Sequence, residues 1–162
     1  MLFVMIDVRG DKNMKELFTD QTIVVNAPIE RVWKVITDKA YTPQWAPEFT
    51  NGAPFHIESD WQLSSPVLWQ DENGKTIVEG NVTALKQPTL LRFTVFAANA
   101  PHPTTTEEDG ITWNLHSNGE ATILRVRQGN FASVEGGEEH YKQTELIWSH
   151  ILPIVKKLAE NT

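Results

Sequence analysis

The stretch TIVVNAPIERVWKVITDKAYTPQW, residues 22–45, decides the fold. Its β-branched opening, Thr22 to Val25, predicts a strand. Pro28 then stands where a first helical residue is comfortable, because its missing N–H would have had no intrahelical partner. Ile29, Val32, Trp33 and Ile36 recur at helical spacing, so one face of residues 28–38 is expected to be buried. Pro43 and Pro47 bracket the next helical piece and limit it to a turn or two.

Beyond this corner, residues 55–131 read as consecutive strands. PVLWQ leads through the Asn-Gly hairpin signal DENGK into TIVEGNVTAL. KQPT turns the chain into LLRFTVFA, where Leu91, Phe93 and Val95 alternate with Arg92 and Thr94. HSNGE, a second Asn-Gly turn, separates ITWNL from ATILRVRQ. Alternation of this kind predicts an antiparallel sheet with one face buried and one wet. The segment at residues 99–110 interrupts it as a polar, mobile loop, with Glu107, Glu108 and Asp109 as turn charges. The longest helical pattern follows Gly136 and Gly137. It carries Tyr141, Trp148, Ile151, Leu152, Val155, Leu158 and Ala159 as its apolar stripe, and Pro153 should bend it.

The chain has 162 residues, enough for one domain with a real core. Residues 14–162 are expected to form it. Residues 1–13 read as an N-terminal appendage, loosely ordered or docked as an extra strand, with Met14 a natural beginning. The formal net charge of −7 disfavours nucleic acid and anionic membrane surfaces, which reward clustered Lys and Arg. The longest apolar run, LFVMI, is far short of the ~20 residues a membrane span requires. No basic leader precedes it, and no secretory signal is expected. Cys is absent, which removes disulfides and thiolate chemistry and fits a cytoplasmic location.

The element order, with NAPIERVWKVITDKAYTPQW, EGNVTALKQPTLLRFTV and the closing WSHILPIVKKLAE, resembles the START-like (SRPBCC) superfamily. Within it, the likeness is greatest to the branch named after the activator of the heat-shock chaperone ATPase, from about Lys15 to the C-terminus. The resemblance implies an α+β helix-grip fold: a curved antiparallel sheet of about seven strands around a long C-terminal helix, with a cavity between them. The opening stretch would then be the two-helix cradle that closes one end of the cavity. Members bind lipids, hormones or polyketides, some catalyse cyclisation or dehydration, and others regulate chaperones.

Six tryptophans and seven phenylalanines supply bulky rings for a core or a pocket. Trp45, Trp69, Phe93, Trp113, Tyr141 and Trp148 fall on positions expected to face the sheet–helix interior. Gln128, which shares its face with Leu124 and Val126, and Thr144 would add polar groups that orient a ligand. These eight are the expected binding residues. A small hydrophobic molecule is the first expected partner; docking on a chaperone or another protein is the alternative. A cyclase or dehydratase using Gln128, Tyr141 or His56 for proton transfer is the third reading, held back because no matched acid–base pair can be read off. Glu79 lies opposite Val78 and Gly80 and is expected to be solvated. The five histidines show no i, i+4 pair, and no H-E-x-x-H or G-x-S-x-G occurs, so neither a metal, a cofactor nor a catalytic serine is expected.

Overall fold

A computed structural model describes residues 16–102 and 105–161. The expected appendage at residues 1–13 therefore lies outside the described residues, as do residues 103–104 of the polar loop. Strand β1 (Thr19–Val25) leads into helix α1 (Ile29–Thr37) and the short α2 (Thr42–Trp45), which runs on as a 3-10 turn over Ala46–Thr50. Then come β2 (Phe55–Glu58), β3 (Pro66–Asp71), β4 (Thr76–Lys86), β5 (Leu90–Phe93), the two-residue β6 (Phe96–Ala97), β7 (Gly110–Asn118) and β8 (Ala121–Gly129). A 3-10 turn at Phe131–Ser133 precedes the closing helix α3 (Gly137–Glu160). The strands pair antiparallel in the order β1-β8-β7-β5-β4-β3-β2, with β6 beside β4. This is the α+β helix-grip architecture, a curved sheet with its buried face against the long terminal helix.

The opening corner is fastened at both ends. Pro28 stands one residue earlier than the sequence implies, as the extended cap before Ile29, and its carbonyl accepts from the Arg31 and Val32 amides. Val32, Trp33, Val35 and Ile36 form the buried face of α1. The Trp45 indole donates to the Val35 carbonyl at 2.8 Å and so holds α2 against α1. Three groups tie the end of β1 to later parts of the chain. Thr122 Oγ1 donates to the Ala27 carbonyl at 2.8 Å, and Lys156 Nζ donates to the Val24 carbonyl at 2.7 Å. The Glu160 carboxylate accepts from the Asn26 amide at 2.7 Å and pairs with Lys156. Helix α3 continues through Pro153, and its buried positions Trp148, Ile151, Leu152, Val155 and Ala159 reproduce most of the expected stripe.

Where the sequence reads one strand through residues 90–97, the structure has two. β5 pairs with β4 as far as Phe93 opposite Val82, while β6 sets Phe96 and Ala97 opposite Glu79 and Val78. Between them Thr94 turns inward and is buried, its Oγ1 accepting from the Asn81 amide at 2.9 Å. Gly80 makes this approach feasible: a Cβ there would lie 1.8 Å from the Thr94 carbonyl oxygen. Gly80→Ala should therefore cost roughly 3 kcal/mol, the upper part of the usual overpacking range, read from the urea midpoint.

On the outer face Arg125 Nε donates to Asp20 Oδ1 at 2.8 Å across the β1–β8 ladder, and Arg127 stands near the same carboxylate. The hydrogen bond from Arg125 holds the Asp20 carboxyl below its ordinary value. Its contribution to stability is thus whole above the unfolded carboxyl range and fades as pH falls through the lowered folded value. The Asp20 side chain is 38% exposed, so solvent screening keeps this contribution under about 1 kcal/mol. Denaturation of Asp20→Asn beside the native chain should show a gap of that size at pH 7 that closes below about pH 4; a gap independent of pH would exclude the charged pair as its source.

Candidate functional site

The space between sheet and α3 is occupied by a run of rings in mutual contact. Trp113 on β7 meets Trp45 at 5.9 Å and Trp148 on α3 at 5.2 Å between ring centroids, both edge to face. Phe49 continues the run, edge-on to Trp148 at 5.0 Å and tilted against Trp69 at 5.2 Å, and Phe55 stacks on Trp69. Edge-to-face pairs suit the quadrupoles of the rings and interlock without a gap. Phe93 packs apart from this run, against Trp61 at 5.5 Å. Of the expected binding residues, Trp45, Trp69, Phe93, Trp113 and Trp148 are thus buried and packed on other rings. The Trp69 indole N–H is buried without a partner among the described residues.

A cavity of about 160 Å³ lies to one side of the ring cluster, toward the N-terminal end of α3. The end of β8 with the turn after it, the start of β7, the link from β5 to β6 and the first turn of α3 border it, and it opens to solvent. Thr94, Asp109 and Gly110 are its buried floor, and Val95, Phe96, Phe131 and Val134 are apolar walls. The exposed Thr105 and His140 mark where it meets solvent. Gly110 has a φ of 112°, and a Cβ there would lie 2.2 Å from the Phe93 carbonyl oxygen, so β7 enters the sheet close over the end of β5.

Gln128 lines this cavity and joins it to the ring cluster. Its Oε1 accepts from the Trp148 indole at 2.9 Å. Asn130, two residues on, also lines it: its Oδ1 accepts from the Leu17 and Ala132 amides, each at 2.9 Å. Asp109, read from the sequence as a turn charge, is 6% exposed. Its carboxylate accepts from the Thr106 amide at 2.7 Å and the Asn130 amide at 3.2 Å, which fix the loop to the end of β8. Backbone donors compensate the burial of this acid, and they become visible only once the chain is folded.

Tyr141 and Thr144 are half-buried on α3 and do not line the cavity, which His140 borders instead. The Tyr141 hydroxyl is hydrogen-bonded to Glu145, which raises its pKa above the ordinary phenol value. His56 alternates with the buried Phe55 and Ile57, faces outward and lies 3.3 Å from Glu58. Glu79 is half-exposed, 3.4 Å from His102. Among the described residues no three His, Asp or Glu side chains gather as a metal ion would need. No helix among them is long and apolar enough to cross a membrane.

A family model described as Activator of Hsp90 ATPase homolog 1-like protein matches residues 26–160. No curated protein matches the chain in sequence. Solved structures share its fold at low identity. A protein from Cytophaga hutchinsonii is 24% identical with a TM-score of 0.65, over 91% of this chain and 97% of that one. The Aha1 dimer from Colwellia psychrerythraea is 17% identical with a TM-score of 0.64, over 88% and 96%. DynU16, from the dynemicin biosynthetic locus, is 17% identical with a TM-score of 0.64, over 88% of this chain and 47% of its own.

The contact between Trp148 and Gln128 sets the shape of the cavity wall, and its strength is measurable. Trp148→Phe and Gln128→Leu should each lower stability by about 1–2 kcal/mol, and together by about 1 kcal/mol less than their sum, because either change already removes the shared bond. Urea denaturation of the four proteins of the cycle gives the coupling.

Proposed function

This chain belongs to the Activator of Hsp90 ATPase homolog 1-like protein family, and we propose that it binds a small, largely hydrophobic molecule in the cavity between the sheet and the start of α3. The observation that carries this reading is the cavity itself: about 160 Å³, walled by Val95, Phe96, Phe131 and Val134. A cavity of roughly 150 Å³ accommodates benzene, so the volume suits a single ring or a short branched chain better than a lipid tail. Apolar burial at about 25 cal/mol per Å² drives the binding. In this reading the guest rests against Gln128 with Trp148 behind it. Trp45, Trp69, Phe93 and Trp113 are the packed support that keeps this wall rigid, and Tyr141 and Thr144 flank the mouth on α3. A cytoplasmic location belongs to the same reading, supported by the lack of Cys.

The family description favours a second reading, a regulator that docks on a chaperone. A stoichiometric chaperone recovered with the purified protein would put it first.

Titration of labelled protein with benzene-sized probes, followed by amide NMR, tests the cavity. Shifts should concentrate at residues 94–96 and 128–134, and Val134→Phe, which fills the space with a ring, should weaken binding tenfold or more while the fold persists. Saturable binding mapped to another surface, unaffected by Val134→Phe, would sink the reading.

A further inference from the structure

We infer that this cavity selects guests carrying a neutral hydrogen-bond acceptor of the carbonyl type, because both amide side chains in its wall are held by their oxygens and leave their NH2 groups as free donors. The inference rests on the binding reading above and adds the polarity of the ligand to it.

The orientation of Gln128 follows from its partner. An indole nitrogen is a donor only, so the Gln128 atom 2.9 Å from Trp148 Nε1 has to be the carbonyl oxygen. The same reasoning fixes Asn130, whose side-chain oxygen accepts from two backbone amides, Leu17 and Ala132. Among the described residues neither Gln128 Nε2 nor Asn130 Nδ2 donates a hydrogen bond, and neither is a buried orphan. Thr105 and His140 stand exposed at the mouth, and the more buried Thr94, Asp109 and Ser133 are engaged. Thr94 Oγ1 accepts from the Asn81 amide, Asp109 accepts from two backbone amides, and Ser133 Oγ donates to the Asn130 carbonyl at 3.1 Å. Inside the mouth, the side-chain N–H donors left without a partner among the described residues are therefore these two NH2 groups.

Charge narrows the class further. No Lys or Arg among the described residues lines the cavity. A carboxylate guest would give up water there without either as a counter-ion, which is costly. A ketone, ester or amide carbonyl on a ring-sized apolar body accepts from the NH2 groups without that cost.

The test compares acetophenone, ethylbenzene, benzoate and benzylamine, probes of similar size and different polarity, by NMR titration that includes the Gln and Asn side-chain NH2 signals. Acetophenone should bind about fivefold more tightly than ethylbenzene, as one net hydrogen bond allows. It should also move the Gln128 and Asn130 NH2 signals, which ethylbenzene should not. Gln128→Glu keeps an acceptor for Trp148 but removes the donor, so it should abolish the advantage of acetophenone and favour benzylamine. The wild-type NH2 shifts decide the matter even if that variant fails to fold. Equal binding of acetophenone and ethylbenzene, with those signals unmoved, would overturn the polarity inference and leave the cavity reading intact. Preference of the native protein for benzoate or benzylamine would overturn it too. Failure of all four probes would remove the binding reading and this inference together.

Discussion

Trp113 is the piece on which the three parts of the molecule converge. Its ring stands edge-on to Trp45, which ends the helical corner, and to Trp148, at the middle of the closing helix, while its backbone is a central rung of the sheet. Rings in this arrangement cannot slide independently, since each edge fits the face of the next. The position of α3 is thereby set at its centre by ring packing and at its end by Lys156 and Glu160, which reach the end of β1. The front of the helix has its own ties: Gln21 Nε2 donates to the Glu145 carbonyl at 2.7 Å, and the 3-10 turn at Phe131–Ser133 packs close on Gly137.

Local rules made much of this visible in advance. The corner at residues 22–45 reads correctly because helical periodicity and proline placement are local, and the hairpins read correctly because Asn-Gly imposes its own turn. Gln128 could be named because strand alternation carries its face forward from Leu124 and Val126. Asn130 could not, because it lies past the last rung, where alternation no longer applies. The division between β5 and β6 was hidden for another reason: it depends on Gly80, on a different strand, leaving room for the Thr94 backbone. Asp109 was read as a turn charge, and its burial stayed hidden because its second amide partner, Asn130, is 21 residues away.

The rings also explain where the cavity is. Indole and phenyl groups brought together from β2, β3, β7, α2, the turn after it and α3 consume the middle of the sheet–helix space. Beyond Trp148 the helix carries more polar side chains toward its N-terminus, and β7 begins and β8 ends in glycine, at 110 and 129. Trp148 closes the boundary between the two regions, with its ring in the packed cluster and its N–H on the Gln128 oxygen.

The clasp between the last turn of α3 and the end of β1 spans 132 to 134 residues of sequence. Among the described strands, the one it secures pairs with β8 alone, far along the chain. During synthesis β1 therefore emerges long before β8 exists, and that ladder stays unmade until β8 follows. Closure joins segments far apart in sequence, with the slow, non-local character that such pairings confer.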